Sequence, residues 1–160
     1  MAETTIKSIA SEVLTVMFVD IVGYAKTPAK PNPESLKQEP DVFKQLSPRI
    51  LKRYEGNLVK KVGDAFLIVF HSATNALLCG IELQQAFAEY NRKNKPTLTI
   101  KVAVHAGEVL IKEENMYGDA VNTASHLGQG AKPGDVIFSE AVFLFMNKMK
   151  FLMPASDTGN

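Results

Sequence analysis

The sequence VMFVDIVGY (residues 16–24) and the sequence VKKVGDAFLIVF (residues 59–70) decide the fold, and each carries an aspartate beside an apolar run. Gly63-Asp64 has the spacing of a tight hairpin, which places Asp64 at its tip. A carboxylate at the end of a buried strand is costly unless it is paired, hydrogen-bonded or bound to a metal. Two such carboxylates on adjacent strands repel each other and attract a divalent cation that prefers oxygen ligands. The sequence therefore predicts a Mg²⁺ or Mn²⁺ site at Asp20 and Asp64.

The composition bounds the class of protein. Residues 1–160 are enough for one domain, and 46% hydrophobic with 22% charged residues is typical of globular chains. The net charge of +1 gives no argument for nucleic acid or an anionic membrane as a partner. One cysteine, Cys79, excludes a disulfide framework, and no apolar run approaches the roughly 18 residues of a membrane span. We expect a single soluble domain in the cytoplasm, with no nucleic acid and no membrane partner.

Strand and helix patterns alternate along the rest of the chain. Predicted strands cover residues 12–19, 58–62, 66–70, 98–107, 108–112, 135–138 and 149–152, and predicted helices cover residues 41–54, 72–92, 119–127 and 139–147. This order contains the βαββαβ arrangement of the ferredoxin-like superfold. The predicted fold class is α+β, with a mainly antiparallel sheet and additional strands and helices around that core.

Prolines interrupt these patterns in two places. Residues 27–41 contain four prolines and are predicted to be a loop, either a lid over the metal site or an extended surface connection. Pro48 is expected to kink the helix over residues 41–54 or to delay its start. Residues 1–11 are weakly patterned and are expected to be a frayed lead-in.

Three blocks, in this order and at this separation, resemble the catalytic domain of class III nucleotidyl cyclases. They are FVDIVGY (residues 18–24), KKVGDAF (residues 60–66) and YGDAVNTASHL (residues 117–127), and the resemblance covers about residues 13–145. It implies an enzyme that joins the ribose 3′-oxygen of a nucleoside triphosphate to its own α-phosphorus and releases pyrophosphate. The cofactors that it implies are two divalent cations, Mg²⁺ or Mn²⁺.

The resemblance also implies roles for particular residues. Asp20, Asp64 and the backbone carbonyl of Ile21 would be the metal ligands, and Asn122 would orient the ribose. The partner that it implies is a second copy, in a head-to-tail homodimer with composite active sites. The alternative for each aspartate, a turn residue bonded to backbone amides, loses weight because both blocks are present. His105 lies in an apolar strand and is interpreted as a core or interface residue.

The chain departs from the family at His126, four residues after Asn122, where the family has an arginine that stabilises charge on the α-phosphate. Imidazole lacks the bidentate fork of a guanidinium, and loss of such a contact costs about 10²–10³ in rate. The family's C-terminal hairpin, which carries a lysine that touches the triphosphate, has no match at Lys148 or Lys150. Two interpretations stay open: an active cyclase in which His126 or an arginine elsewhere acts, and a degenerate domain that binds nucleotide or dimerises with little catalysis.

Lys60 and Asn115 are the predicted readers of the base. Lys60 precedes Asp64 by four residues, as does the lysine that adenylyl cyclases use on adenine, whereas Asn115 stands where those enzymes have an aspartate. An asparagine carbonyl can accept the adenine 6-amino group, but its NH₂ can donate to a base carbonyl. Lys60 can donate to an adenine ring nitrogen but cannot accept the N–H of guanine, so ATP is favoured over GTP. Because the amide can both donate and accept, a pyrimidine cyclase making cyclic CMP or cyclic UMP as a signal remains an alternative.

Overall fold

The computed structural model describes residues 10–23, 33–95, 97–113 and 115–147, and this part of the chain forms six strands and four helices. The strands are β1 (Ala10–Gly23), β2 (Asn57–Val62), β3 (Ala65–Phe70), β4 (Thr99–Lys112), β5 (Asn115–Tyr117) and β6 (Val136–Phe138). The helices are α1 (Pro33–Arg53), α2 (Ala73–Lys93), α3 (Asp119–Gln129) and α4 (Glu140–Phe145). This order confirms the predicted α+β class and its ferredoxin-like βαββαβ core.

The strands form one largely antiparallel sheet in the order β2-β3-β1-β4-β5, and β6 pairs with β4 in parallel. β1 is central, because it pairs with β3 through Thr15–Asp20 and with β4 through Ala10–Gly23. The apolar run from Val16 to Val19 suits this place, since both faces of a central strand are covered. Within the described residues, no helix has the length and apolar character needed to cross a membrane.

Side chains of β1 alternate between two hydrophobic clusters on the two faces of the sheet. Met17 and Val19 belong to the larger cluster, which α1 and α2 cover. Val16 and Phe18 belong to the smaller cluster, which includes Ala120 and Ala124 of α3. Because successive strand residues point to opposite faces, Asp20 projects on the same side as Phe18, toward α3.

Helix α1 corrects the prediction for the proline-rich region. It begins at Pro33, so the loop predicted over residues 27–41 is wrong for residues 33–41, and residues 27–32 lie outside the described part. Pro33 suits the first turn, where a backbone N–H has no helical partner. The helix also continues through Pro48. Burial of its apolar side chains, Val42, Phe43, Ile50 and Leu51, offsets the cost of a proline inside a helix.

The region around Gly107 is a second correction, since β4 is one 14-residue strand rather than two strands that meet at this glycine. A Cβ at Gly107 would lie 3.2 Å from the Cβ of Ala120, so the glycine permits the close approach of α3. Asn115–Tyr117, which the pattern assigns to no strand, form β5, and β1 already begins at Ala10, inside the predicted lead-in. The strand predicted over residues 149–152 lies outside the described residues.

Candidate active site

The two predicted metal ligands, Asp20 and Asp64, come together at one end of β1. Asp64 lies in the turn between β2 and β3, where Gly63 has a φ of 60°, in the left-handed region that favours glycine. The backbone N–H of Ile21 donates to the carbonyl oxygen of Asp64 at 3.3 Å. This bond ties the tip of the hairpin to the residue that follows Asp20.

A cleft of about 260 Å³ opens at this point, and both carboxylates line it. Lys101 of β4 lines it as well, since it pairs with Asp20 across the β1–β4 ladder. Helix α3 covers the other side of the cleft with Ser125 and Gln129. The cleft therefore combines two carboxylates, one ammonium group and neutral polar side chains.

The electrostatics of the cleft centre on Asp20. Burial is the largest effect and raises the pKa of its carboxyl group above the ordinary value of 3.8. Lys101 opposes this effect and lowers the pKa, because its Nζ lies 3.7 Å from Oδ2 of Asp20, whereas the nearby charge of Asp64 raises it further. A half-buried carboxylate that faces another carboxylate gains from an additional positive charge at this place.

These donors suit a magnesium or manganese ion. Mg²⁺ binds oxygen ligands and is commonly held by one or two carboxylates together with substrate phosphates and water. Asp20 and Asp64, which line the cleft, would supply two carboxylates, and Ile21, the next residue of β1, would supply a backbone carbonyl. No group of three or more His, Cys, Asp or Glu side chains converges as a metal site among the residues that the structure describes.

Sequence reasoning missed Lys101, Ser125 and Gln129. Lys101 is a lysine within the apolar run of β4, a signal that something polar faces it. Ser125 and Gln129 stand four residues apart, the spacing of neighbours on one side of a helix. That spacing was visible in the sequence, but which cleft the helix would cover was not.

The predicted base readers, Lys60 and Asn115, contact each other directly. Nζ of Lys60 donates to Oδ1 of Asn115 at 2.6 Å. Their strands, β2 and β5, are the two ends of the path β2-β3-β1-β4-β5, so the contact joins the two edges of the sheet. The pairing of β2 with β3 shifts register between Leu58 and Lys60, and such an irregularity bends a strand.

Asn122 and His126 lie one turn apart on α3, and both are exposed. Neither lines the cleft of Asp20 and Asp64. Within one chain, the structure therefore brings together the two aspartates as one group and Lys60 with Asn115 as another. It leaves Asn122 and His126 on an exposed side of α3.

Within one chain, the arginines lie on the other face of the sheet from His126. The sequence contains three arginines, Arg49, Arg53 and Arg92, and all three lie on α1 or α2. These helices cover the face of the sheet opposite to α3. Arg53 forms an ion pair with Glu82 there.

His105 is a half-buried residue of β4 with a hydrogen-bond partner. Its Nδ1 lies 2.7 Å from Oγ of Ser139, the residue before α4. Burial lowers the pKa of its imidazole. These contacts agree with the interpretation of His105 as a satisfied core or interface residue.

Comparison with known proteins places these features in a family. Residues 6–159 match the model of the adenylate and guanylate cyclase catalytic domain. The serine/threonine-protein kinase pkn2 of Myxococcus xanthus is 33% identical over 137 residues, which cover 84% of this chain and 16% of that protein. Putative adenylate cyclase 3 of Rhizobium meliloti (strain 1021) is 27% identical over 143 residues, which cover 88% of this chain and 24% of that protein.

A similar fold is found in a solved structure, the adenylate/guanylate cyclase/hydrolase from Silicibacter pomeroyi. The TM-score is 0.75 at 22% identity, and the match covers 92% of this chain and 83% of that chain. The two curated relatives are much longer, since this chain spans 16% and 24% of their lengths.

Proposed function

The chain belongs to the adenylate and guanylate cyclase catalytic domain family, and from this premise we propose that it is a nucleotidyl cyclase domain. It converts a nucleoside triphosphate, ATP in the first place, to the 3′,5′-cyclic nucleotide and pyrophosphate. The observation that carries this proposal is the cleft in which Asp20 and Asp64 face each other beside Lys101. Two carboxylates and a lysine suit a triphosphate that arrives with divalent cations.

Each group in the cleft has a distinct task. Two divalent cations, Mg²⁺ or Mn²⁺, held by Asp20, Asp64 and the carbonyl of Ile21, would lower the pKa of the ribose 3′-hydroxyl and neutralise the leaving pyrophosphate. Lys101 donates to an oxygen of the triphosphate, and its charge opposes the charge that accumulates on the leaving group. The hydrogen bond from the Ile21 N–H to the Asp64 carbonyl holds the tip of the β2–β3 hairpin in place during the reaction.

The remaining family residues fit a site shared between two copies. Lys60 and Asn115 contact each other away from the cleft, and Asn122 is exposed on α3. In a head-to-tail homodimer these residues of one subunit face the aspartates of the other. Because Ser125 of the same helix lines its own subunit's cleft, α3 borders both active sites of the dimer.

Mixing two inactive variants tests the shared site. Asp20→Asn removes a metal ligand from one side of each site, and Asn122→Ala removes the ribose-orienting amide from the other. A heterodimer then holds one site with both defects and one site with neither. Random exchange of subunits is expected to restore about a quarter of the wild-type activity, as two-fold symmetry requires. No recovery, in a mixture where native mass spectrometry detects heterodimers, would show that each subunit works alone.

A degenerate domain that binds nucleotide without chemistry is the second candidate. The observation that favours it is His126, together with the placement of all three arginines on α1 and α2. Incubation with Mn²⁺ and each of ATP, GTP, CTP and UTP, followed by mass spectrometry, separates the two. A cyclic product, with cyclic AMP dominant, is expected for the cyclase. A rise in melting temperature with triphosphate, without any cyclic product, would favour the binding domain.

A further inference from the structure

Tyr117 contacts the side chain of Asn115 from the side opposite to Lys60. Nδ2 of Asn115 donates to Oη of Tyr117 at 3.0 Å. Oδ1 of Asn115 accepts from Nζ of Lys60 at 2.6 Å and from the backbone N–H of Met116 at 2.9 Å. An ammonium group and a backbone N–H are donors only, so the amide oxygen must face them. The NH₂ group then faces the one partner in this set that can accept, the tyrosine hydroxyl.

We propose that Tyr117 is a positioning residue that fixes the Asn115 carbonyl toward Lys60, and that the pair therefore selects bases with an amino group over bases with a keto group. This inference rests on the proposed function. It decides whether the carbonyl oxygen or the NH₂ group of Asn115 faces the base. It extends the preference for ATP to a class: adenine and cytosine are taken, and guanine and uracil are disfavoured.

The selection follows from the edges of the bases. Adenine and cytosine present an acceptor ring nitrogen beside a donor amino group, whereas guanine and uracil present a ring N–H beside a carbonyl oxygen. Lys60 donates to the ring nitrogen, and the amino group donates to the Asn115 oxygen in place of Lys60. The Met116 N–H keeps its bond to that oxygen throughout. A flipped amide would instead present its NH₂ group, which can donate to the carbonyl oxygen of a keto base.

The ring and the hydroxyl of Tyr117 contribute separately. Nζ of Lys60 lies 6.0 Å from the centroid of the Tyr117 ring, within the range of a cation–π contact. Phenylalanine keeps this contact and removes only the hydroxyl that accepts from Asn115. Tyr117→Phe therefore isolates the orientation of the amide from the support of the lysine.

The test is kcat/KM of Tyr117→Phe with ATP, CTP, GTP and UTP in turn. Loss of one hydrogen bond that holds the amide is expected to lower the ratio of amino-base to keto-base activity roughly three- to tenfold. Tyr90→Phe, the same chemical change at a half-buried tyrosine of α2, is expected to leave this ratio unchanged. In an Asn115→Asp background, Tyr117→Phe is expected to leave the ratio unchanged, because a carboxylate presents oxygen in either orientation.

Three results would overturn the inference. An equal loss with all four triphosphates would make Tyr117 a structural residue, and an unchanged ratio would show that it does not hold the amide. A shift in the ratio that persists in the Asn115→Asp background would show that Tyr117 acts by another route. Each result stands only where the wild-type protein makes a cyclic product.

A wild-type protein without any cyclic product would overturn the proposed function, and the orientation of the amide is then decided without nucleotide. In ¹⁵N-labelled protein, nuclear Overhauser effects are expected between the Asn115 side-chain NH₂ and the Tyr117 ring, and they are expected to weaken in Tyr117→Phe. Their absence from the wild-type protein would overturn the inference whatever the activity.

Discussion

Asp20→Asn is expected to lower the rate of cyclic nucleotide formation by at least about 10²–10³, because the variant loses one of the two carboxylates that would hold the metal ions of the proposed cyclase. The amide has nearly the same shape as the carboxylate but carries no charge to bind a divalent cation. The measurement is product formed per unit time at saturating Mn²⁺ and triphosphate, by mass spectrometry. Saturating metal is essential, since weak binding alone would otherwise account for the loss.

Asp135→Asn is the matched control for this prediction. Oδ2 of Asp135 accepts from the backbone N–H of Lys132 at 2.9 Å in the turn before β6, outside the cleft. The same chemical change there is expected to leave the rate unchanged. An Asp20→Asn protein as active as the Asp135→Asn protein would contradict the assignment of Asp20 as a metal ligand.

The pH dependence of stability distinguishes a loss of catalysis in Asp20→Asn from a loss of folding. Burial raises the pKa of Asp20 in the folded state above the ordinary value of 3.8, so the folded protein binds the proton more tightly than the unfolded chain. Stability therefore falls as pH rises from the ordinary pKa of 3.8 through the higher pKa of the folded state. Above that range, the ionised carboxylate lowers the free energy of unfolding. Without metal, Asp20→Asn is expected to melt no lower than the wild type at neutral pH. Any gain in melting temperature over the wild type is expected to disappear below pH 3.8, where the wild-type carboxyl group is protonated.

The sequence predicts that Asp20 and Asp64 lie close together, because the signals for it are local in the sequence. The runs before Asp20 and after Asp64 are strand-length and apolar, and Gly63 marks the turn between two of the strands. Antiparallel pairing of such strands leaves few possible registers, because a shift by one residue would turn Phe18 and Leu67 away from their shared cluster. The pairing of β1 with β3 then follows from the residues themselves.

Other parts of the site depend on contacts that no local pattern records. Lys101 reaches the cleft because the β1–β4 register places it opposite Asp20. The contact of Lys60 with Asn115 depends on the arrangement of the whole sheet, since it joins the two ends of the strand path. Residues 33–41 are helical despite their prolines because the following turns of α1 are buried against the core. In this helix, tertiary burial outweighs local propensity.

His126→Arg is expected to raise kcat at least about tenfold, because a guanidinium can hold two oxygens of the α-phosphate through charge-assisted hydrogen bonds that imidazole cannot form. The position is exposed on α3 and one turn from Asn122, so the longer side chain is accommodated without repacking the core. No arginine of the chain lies on this face of the sheet, and the substitution therefore adds a contact rather than duplicating one. The measurement is kcat with saturating Mn²⁺ and ATP.

His126→Lys and His126→Gln separate charge from geometry. A lysine supplies the charge without the bidentate fork, so a smaller gain than with arginine is expected if both matter. Glutamine supplies a neutral donor and is expected to leave kcat at or below the wild-type value. An arginine variant no faster than the wild type, together with a slower glutamine variant, would contradict the prediction. The site would then be arranged around imidazole, and His126 would be a working replacement for the family's arginine rather than a loss of function.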